Sequence, residues 1–115
     1  MPNPVVHFEI MGKDAAAIQK FYAELFDWDV DANNPMSYGV VTAQSTGIGG
    51  GVGANPVGAT YVTVYMSVPD LQATLDKAAS LGGTIMMYPT EIPGVVTMAM
   101  FKDPDGNLIG LIKDG

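Results

Sequence analysis

Hydrophobic and polar positions change period along this chain, and they do so in the same order in each half. Val5–Ile10 is apolar around His7 and Glu9, the two-residue alternation of a strand. Asp14 then opens a helix that runs to about Phe26, its carboxylate suited to the free amides of a first turn. Ile18, Phe21, Tyr22 and Leu25 fall at helical spacing and predict one apolar face. Trp28 and Val30 begin a short strand, Asn33-Asn34-Pro35 is a turn, and Tyr38–Ala43 is a further strand. Gly47–Gly53 is glycine-rich, and Asn55-Pro56 with Gly58 reads as a linker.

The second half repeats the order. Tyr61–Val68 is a strand, and Asp70 caps a helix over about Leu71–Leu81 with Leu71, Leu75 and Ala78 inward. Gly82-Gly83 ends that helix, since glycine accepts the left-handed conformation found there. Thr84–Tyr88 is a strand, Glu91–Gly94 a loop and Val96–Lys102 a strand. Asp103-Pro104-Asp105-Gly106 is a turn, and Leu108–Lys113 is the last strand. Registering Asp14 on Asp70 puts His7 on Thr63, Glu9 on Tyr65 and Leu25 on Leu81. The pattern predicts one α+β domain over 1–115 built of two tandem modules, about 1–54 and about 59–115.

Composition narrows the function. The 115 residues suit one domain, and 48% apolar content can fill a core. Only 15% of residues are charged, which suggests that a second subunit covers part of the surface. With net charge −7 and five basic residues, the chain cannot build a phosphate-binding footprint, so nucleic acid is excluded as a partner and an anionic membrane is disfavoured. Without cysteine there are no disulfides, thiolate metal sites or thiol nucleophiles. The opening Met1-Pro2-Asn3-Pro4 does not read as a signal peptide, and no apolar run approaches the length of a membrane helix, so a cytoplasmic protein is expected.

The string His7-Phe8-Glu9-Ile10, then Asp14, Phe21-Tyr22 and Leu25-Phe26-Asp27-Trp28, resembles the opening of a domain of the glyoxalase / bleomycin resistance protein / extradiol dioxygenase (vicinal oxygen chelate) superfamily. Val68-Pro69-Asp70-Leu71 with Leu81-Gly82-Gly83 resembles its second module, and Phe101-Lys102-Asp103-Pro104-Asp105-Gly106-Asn107-Leu108-Ile109 is the most specific match. The resemblance implies two βαβββ modules forming an open, cupped, eight-stranded mixed sheet with helices outside, and a small molecule held in the cup. It also implies four metal-ligand positions in the metal-dependent members. Here these fall on His7, Thr63, Gly110 and near Gly50, so one of the four keeps a ligand-type side chain. A divalent ion needs several converging donors. No metal and no other cofactor is therefore expected, and lactoylglutathione lyase chemistry is disfavoured.

What remains is a pocket. His7 and Glu9 share a strand face and form a candidate acid–base pair; the blander role is hydrogen bonding to a ligand or to a hydroxyl such as that of Tyr61 or Tyr65. Tyr61, Thr63 and Tyr65 share a face of the fifth strand and are ligand-contact candidates, with cross-strand packing as their structural alternative. Gly50 and Gly110 would widen the pocket, and Met98 and Met100 would give it an adaptable apolar wall. The expected function is metal-independent binding of a small organic or toxic compound by a glyoxalase-like homodimer. The alternatives are a lyase or isomerase using His7 and Glu9 and, further off, a metal-dependent lyase or dioxygenase.

Overall fold

The structure, a computed structural model, describes residues 2–43, 47–55 and 59–113. Its elements are β1 (Val5–Gly12), α1 (Ala15–Phe26), β2 (Val30–Asp31), β3 (Gly39–Val41), β4 (Gly49–Ala54), β5 (Tyr61–Val68), α2 (Leu71–Ser80), β6 (Thr84–Ile92), β7 (Val96–Lys102) and β8 (Leu108–Lys113). This is the α+β class with the βαβββ order twice, as the periodicity predicts. Two compact units result: His7–Thr63, and the chain from Val64 onward together with the residues before His7. Pro56 and Gly58 of the expected linker lie outside the described residues.

In the first unit the strands are ordered β2-β3-β4-β1, with β1 and β4 parallel and the other pairs antiparallel. Parallel neighbours need a crossover, and α1 lies within the segment that links them. Asp14 caps α1 by accepting the Ala17 amide at 3.2 Å. The register sets Phe8 beside Gly50, Ile10 beside Val52 and Gly12 beside Ala54. This face meets α1, because Ile18 fills the space over Gly12. Val41 and Val52 are fully buried in the unit. Gln19 fastens the helix by donating both protons of its amide nitrogen, to the carbonyls of Ser37 (2.9 Å) and Val52 (2.8 Å).

Two expectations change here, in α1 and at Trp28. The apolar face of α1 is only partly used: Ile18 and Tyr22 pack, while Phe21 and Leu25 are 57% and 58% exposed. Trp28 precedes the short strand and stacks at the helix–sheet junction, 5.9 Å from Tyr22, 5.2 Å from Phe26 and 5.4 Å from Phe8 between ring centroids. The glycine-rich run contains a full strand, β4, flanked by β1 and β3. It tolerates the missing side chains because neighbouring rings occupy their volume: Phe8 lies over Gly50 and Tyr38 over Gly51.

In the second unit the order is β5-β8-β7-β6, with β5 and β8 parallel. Asp70 caps α2 through the Ala73 amide at 2.9 Å. The helix ends in paired bonds from Gly82 N–H to the Ala79 carbonyl and Gly83 N–H to the Ala78 carbonyl, with Gly82 left-handed at φ 102°. Leu71 and Leu75 press onto Val68, Ala99 and Leu111, which form the buried core. β6 runs on to Ile92, so Glu91 is a strand residue opposite Thr97 and not part of a loop. Asp103 shapes the β7–β8 turn by accepting from the Asp105 and Asn107 amides and from the Asn107 side chain. Among the described residues no helix is long and apolar enough to cross a membrane.

Adjacent glycines of β4 supply a test of this packing. A methyl at Gly50 would collide with the Phe8 ring, whereas one at Gly49 would meet, among the described residues, only the Val41 carbonyl oxygen and the Ala43 nitrogen, at 3.6 and 3.9 Å. Gly50→Ala should destabilise the protein by about 1–3 kcal/mol, and Gly49→Ala by clearly less. Chemical denaturation of the two variants measures the difference, and equal effects would show that ring packing does not govern this strand.

Candidate functional site

On β1 the side chains alternate, so His7 and Glu9 point away from the face that carries Phe8 and α1. On that helix-free face their register partners are Gly49 and Gly51 of β4. Two glycines leave the neighbouring strand bare, and the ring of Tyr38, at the mouth of β3, lies across Gly51 toward Gly53. Tyr38 is aimed by its approach: Ser37 is left-handed at φ 53°, and Asn34 holds both backbone groups of Tyr38 through its side-chain amide.

The result is a polar network centred on Glu9. The Tyr38 hydroxyl donates to Glu9 Oε2 at 2.9 Å, and the Tyr61 hydroxyl donates to Glu9 Oε1 at 2.7 Å. The Tyr38 oxygen also lies 2.9 Å from His7 Nε2. A phenol has one proton, and Glu9 receives it, so Nε2 of His7 is the donor in the second bond. The His7 and Tyr38 rings are nearly parallel, 17° apart. Glu9 is only 8% exposed, and Thr63 is buried in the same unit.

Burial lowers the His7 pKa below its ordinary 6.5, against the opposing pull of the Glu9 charge. Burial, reinforced by the hydrogen bond to Glu9 and by its charge, raises the Tyr61 phenol. Tyr61 therefore stays a proton donor, and His7 is neutral near pH 7. Chemically this is a carboxylate held by two phenols, with one imidazole joined to it through a shared hydroxyl.

The structure brings His7, Glu9 and Tyr61 into direct or one-step contact, with Glu9 held by Tyr61 as one of the two hydroxyls considered. Gly50 does not join them: it pairs with Phe8 and faces α1, and the Phe8 ring takes its space. Gly51, the register partner of Glu9, shares its face instead. In the second unit Gly110 pairs with both Tyr65 and Met100, and the Tyr65 ring covers it, so it does not widen a pocket. Met98 lies on the same face as Met100, opposite the core under α2. Tyr38, which the sequence pattern marks only as the start of a strand, is a further participant. The signal for it was the alternation Gly49, Gly51, Gly53 beside the polar residues of β1, which demands a large side chain from the next strand.

The metal implied by the resemblance can be tested against these donors. Among the described residues no three His, Cys, Asp or Glu side chains converge. Of the two near each other, Glu9 has each oxygen engaged by a phenol proton. The donor set does not fit the four-ligand site of the metal-dependent members.

The His7 shift has a definite sign in stability. Above pH 6.5 the imidazole is neutral in both the folded and unfolded chain. Below 6.5 the unfolded chain takes up a proton first, so stability falls as pH drops toward the lowered folded value. Denaturation midpoints at pH 7.5 and 5.5 should therefore fall further in the wild type than in His7→Gln. An identical pH response in the two proteins would contradict the burial of a neutral His7.

Known proteins resemble this chain in sequence and in fold. It is 32% identical over 111 residues to the Mycobacterium tuberculosis protein named "Putative glyoxylase CFP32", covering 90% of this chain and 42% of that protein. It is 26% identical over 132 residues to the anthracycline biosynthesis protein DnrV of Streptomyces peucetius, covering 99% and 48%. The chain thus spans about half the length of these curated relatives. A glyoxalase/bleomycin resistance protein/dioxygenase superfamily member from Vibrio splendidus has the same fold, with a TM-score of 0.65 at 20% identity over 98% of this chain and 100% of that one. The family model described as Glyoxalase/Bleomycin resistance protein/Dioxygenase superfamily matches residues 5–111, and the chain belongs to that superfamily.

Proposed function

We propose that the chain is a glyoxalase-like small-molecule-binding domain that holds an organic ligand on the helix-free face of its first unit, without a metal. The observation that carries this reading is the state of Glu9. It is buried, and each of its oxygens accepts a phenol proton, an arrangement that fixes donors and acceptors in place beforehand. A preformed polar cluster beside apolar rings is the usual make-up of a small-molecule site. His7, Glu9, Tyr61 and Thr63 are the proposed contacts. Tyr65, Met98 and Met100 are proposed for the helix-free face of the second unit. The relative named for anthracycline biosynthesis supports a polycyclic organic ligand.

One observation favours catalysis as a second reading. His7 is neutral near pH 7 and linked through Tyr38 to a carboxylate, which suits a metal-free isomerase or lyase.

Calorimetry with a panel of anthraquinones and other polycyclic ketones separates the readings when run in EDTA and again with added zinc, nickel and manganese. A ligand from the panel should bind equally well in both, and Glu9→Gln should weaken it at least tenfold. Binding that appears only with metal would refute metal independence, and unchanged affinity in the variant would place the ligand elsewhere. Turnover of a bound compound that is lost in both His7→Gln and Glu9→Gln would establish the catalytic reading instead.

A further inference from the structure

The hydroxyl of Tyr38 occupies the one point where His7 Nε2 and Glu9 Oε2 converge, 2.9 Å from each. A group at that point must donate one proton and accept another. Its aryl ring must also pass beside the bare backbone of Gly51, where a side chain would overlap it, and of Gly53, where one would crowd it at 3.2 Å. The carboxylate is steadied from its other oxygen by Tyr61, at 2.7 Å, so it does not depend on Tyr38 alone for a partner. The segment before Tyr38 is at the surface, with Met36 70% exposed and Asn33, Pro35 and Ser37 exposed as well. Together these features make a site whose occupant is a phenol, that of Tyr38.

We propose that the ligand's recognition group is an aryl hydroxyl and that Tyr38 is an intramolecular stand-in for it: a ligand phenol displaces the Tyr38 side chain, lies on the Gly51–Gly53 floor and takes over its bonds to His7 and Glu9. The proposal rests on the binding reading above and specifies its ligand class. A neutral hydroxyl flanked by an N–H donor and a carboxylate acceptor fits both partners. An aryl ether has no proton for Glu9, and an aryl carboxylate sets a second negative charge against it, so both are discriminated against. Tyr38 is then a specificity-determining residue, since a ligand must outcompete it.

The single histidine gives a clean reporter, because the imidazole resonances of His7 are the only ones in the chain. Tyr38→Ala removes the stand-in and leaves the glycine floor. Titrated with 4-methylphenol, this variant should show saturable shifts of the His7 ring signals at concentrations at least tenfold below those needed with toluene or 4-methylanisole. Tyr38→Phe, whose ring still fills the slot, should not respond to any of the three. Equal responses of Tyr38→Ala to 4-methylphenol and toluene would overturn the hydroxyl assignment while leaving a binding face. No response of folded Tyr38→Ala to any compound would overturn it together with the binding reading at this face. If circular dichroism shows Tyr38→Ala unfolded, the wild type serves. Saturable His7 shifts with 1-naphthol but not with 1-methoxynaphthalene support displacement, and matching responses or none refute it.

Discussion

A carboxylate placed inside a small protein costs several kcal/mol unless hydrogen bonds replace its lost water. Glu9 is in that position, and much of the first unit can be read as the means of satisfying it. Its two phenol partners come from residues 38 and 61, far apart in the chain. Strand β4 must run beside β1 without side chains for the Tyr38 ring to reach across, which is the demand that Gly51 meets. Ser37 and Asn34 turn the chain so that the ring points there, and Gln19 of α1 holds the Ser37 carbonyl. A polar requirement at one residue thus sets the backbone conformation or the size of side chains at several others.

The same device, an aromatic ring laid over a glycine, recurs through the molecule. Phe8 covers Gly50 on the α1 side of the first unit, and Tyr65 covers Gly110 in the second. Glycine here serves neither as a hinge nor as a cavity. It is the partner of a ring, and the two together fill about the volume that a pair of medium side chains would. Val41, Val52, Leu75 and Ala99 remain almost completely buried beside these glycine-bearing strands.

The fold was legible because its signals are local. Asp14 and Asp70 cap the helices they were expected to cap, Gly82-Gly83 ends α2, and β5, β7 and β8 have the predicted bounds. What escaped the sequence depends on neighbours across the sheet. Glycine periodicity does not say which glycine shares a face with Glu9, because that needs the β1–β4 register, and the register selects Gly51 over Gly50. Helical spacing groups Phe21 and Leu25 with Ile18, yet the strip that α1 buries is narrower than the strip of apolar residues it carries. Tyr38 looked like any aromatic at the start of a strand, and its role follows only from the bare strand beside it. The sequence pattern puts Glu91 in a loop, whereas β6 continues through Pro89, where its pairing with β7 is irregular, to Ile92.

The central claim is that the buried Glu9 carboxylate is energetically coupled to the tyrosines around it. A double-mutant cycle on folding stability, combining Glu9→Met with Tyr61→Phe, measures that coupling directly. In the wild type, Tyr61→Phe takes one proton donor from a buried charge and should cost about 1–3 kcal/mol. With Glu9 replaced by an apolar side chain of similar size, the same change should cost close to nothing, leaving a coupling energy of about 1–3 kcal/mol. Additive effects, agreeing within about 0.5 kcal/mol, would contradict the account, because Glu9 and Tyr61 would then not act as a pair.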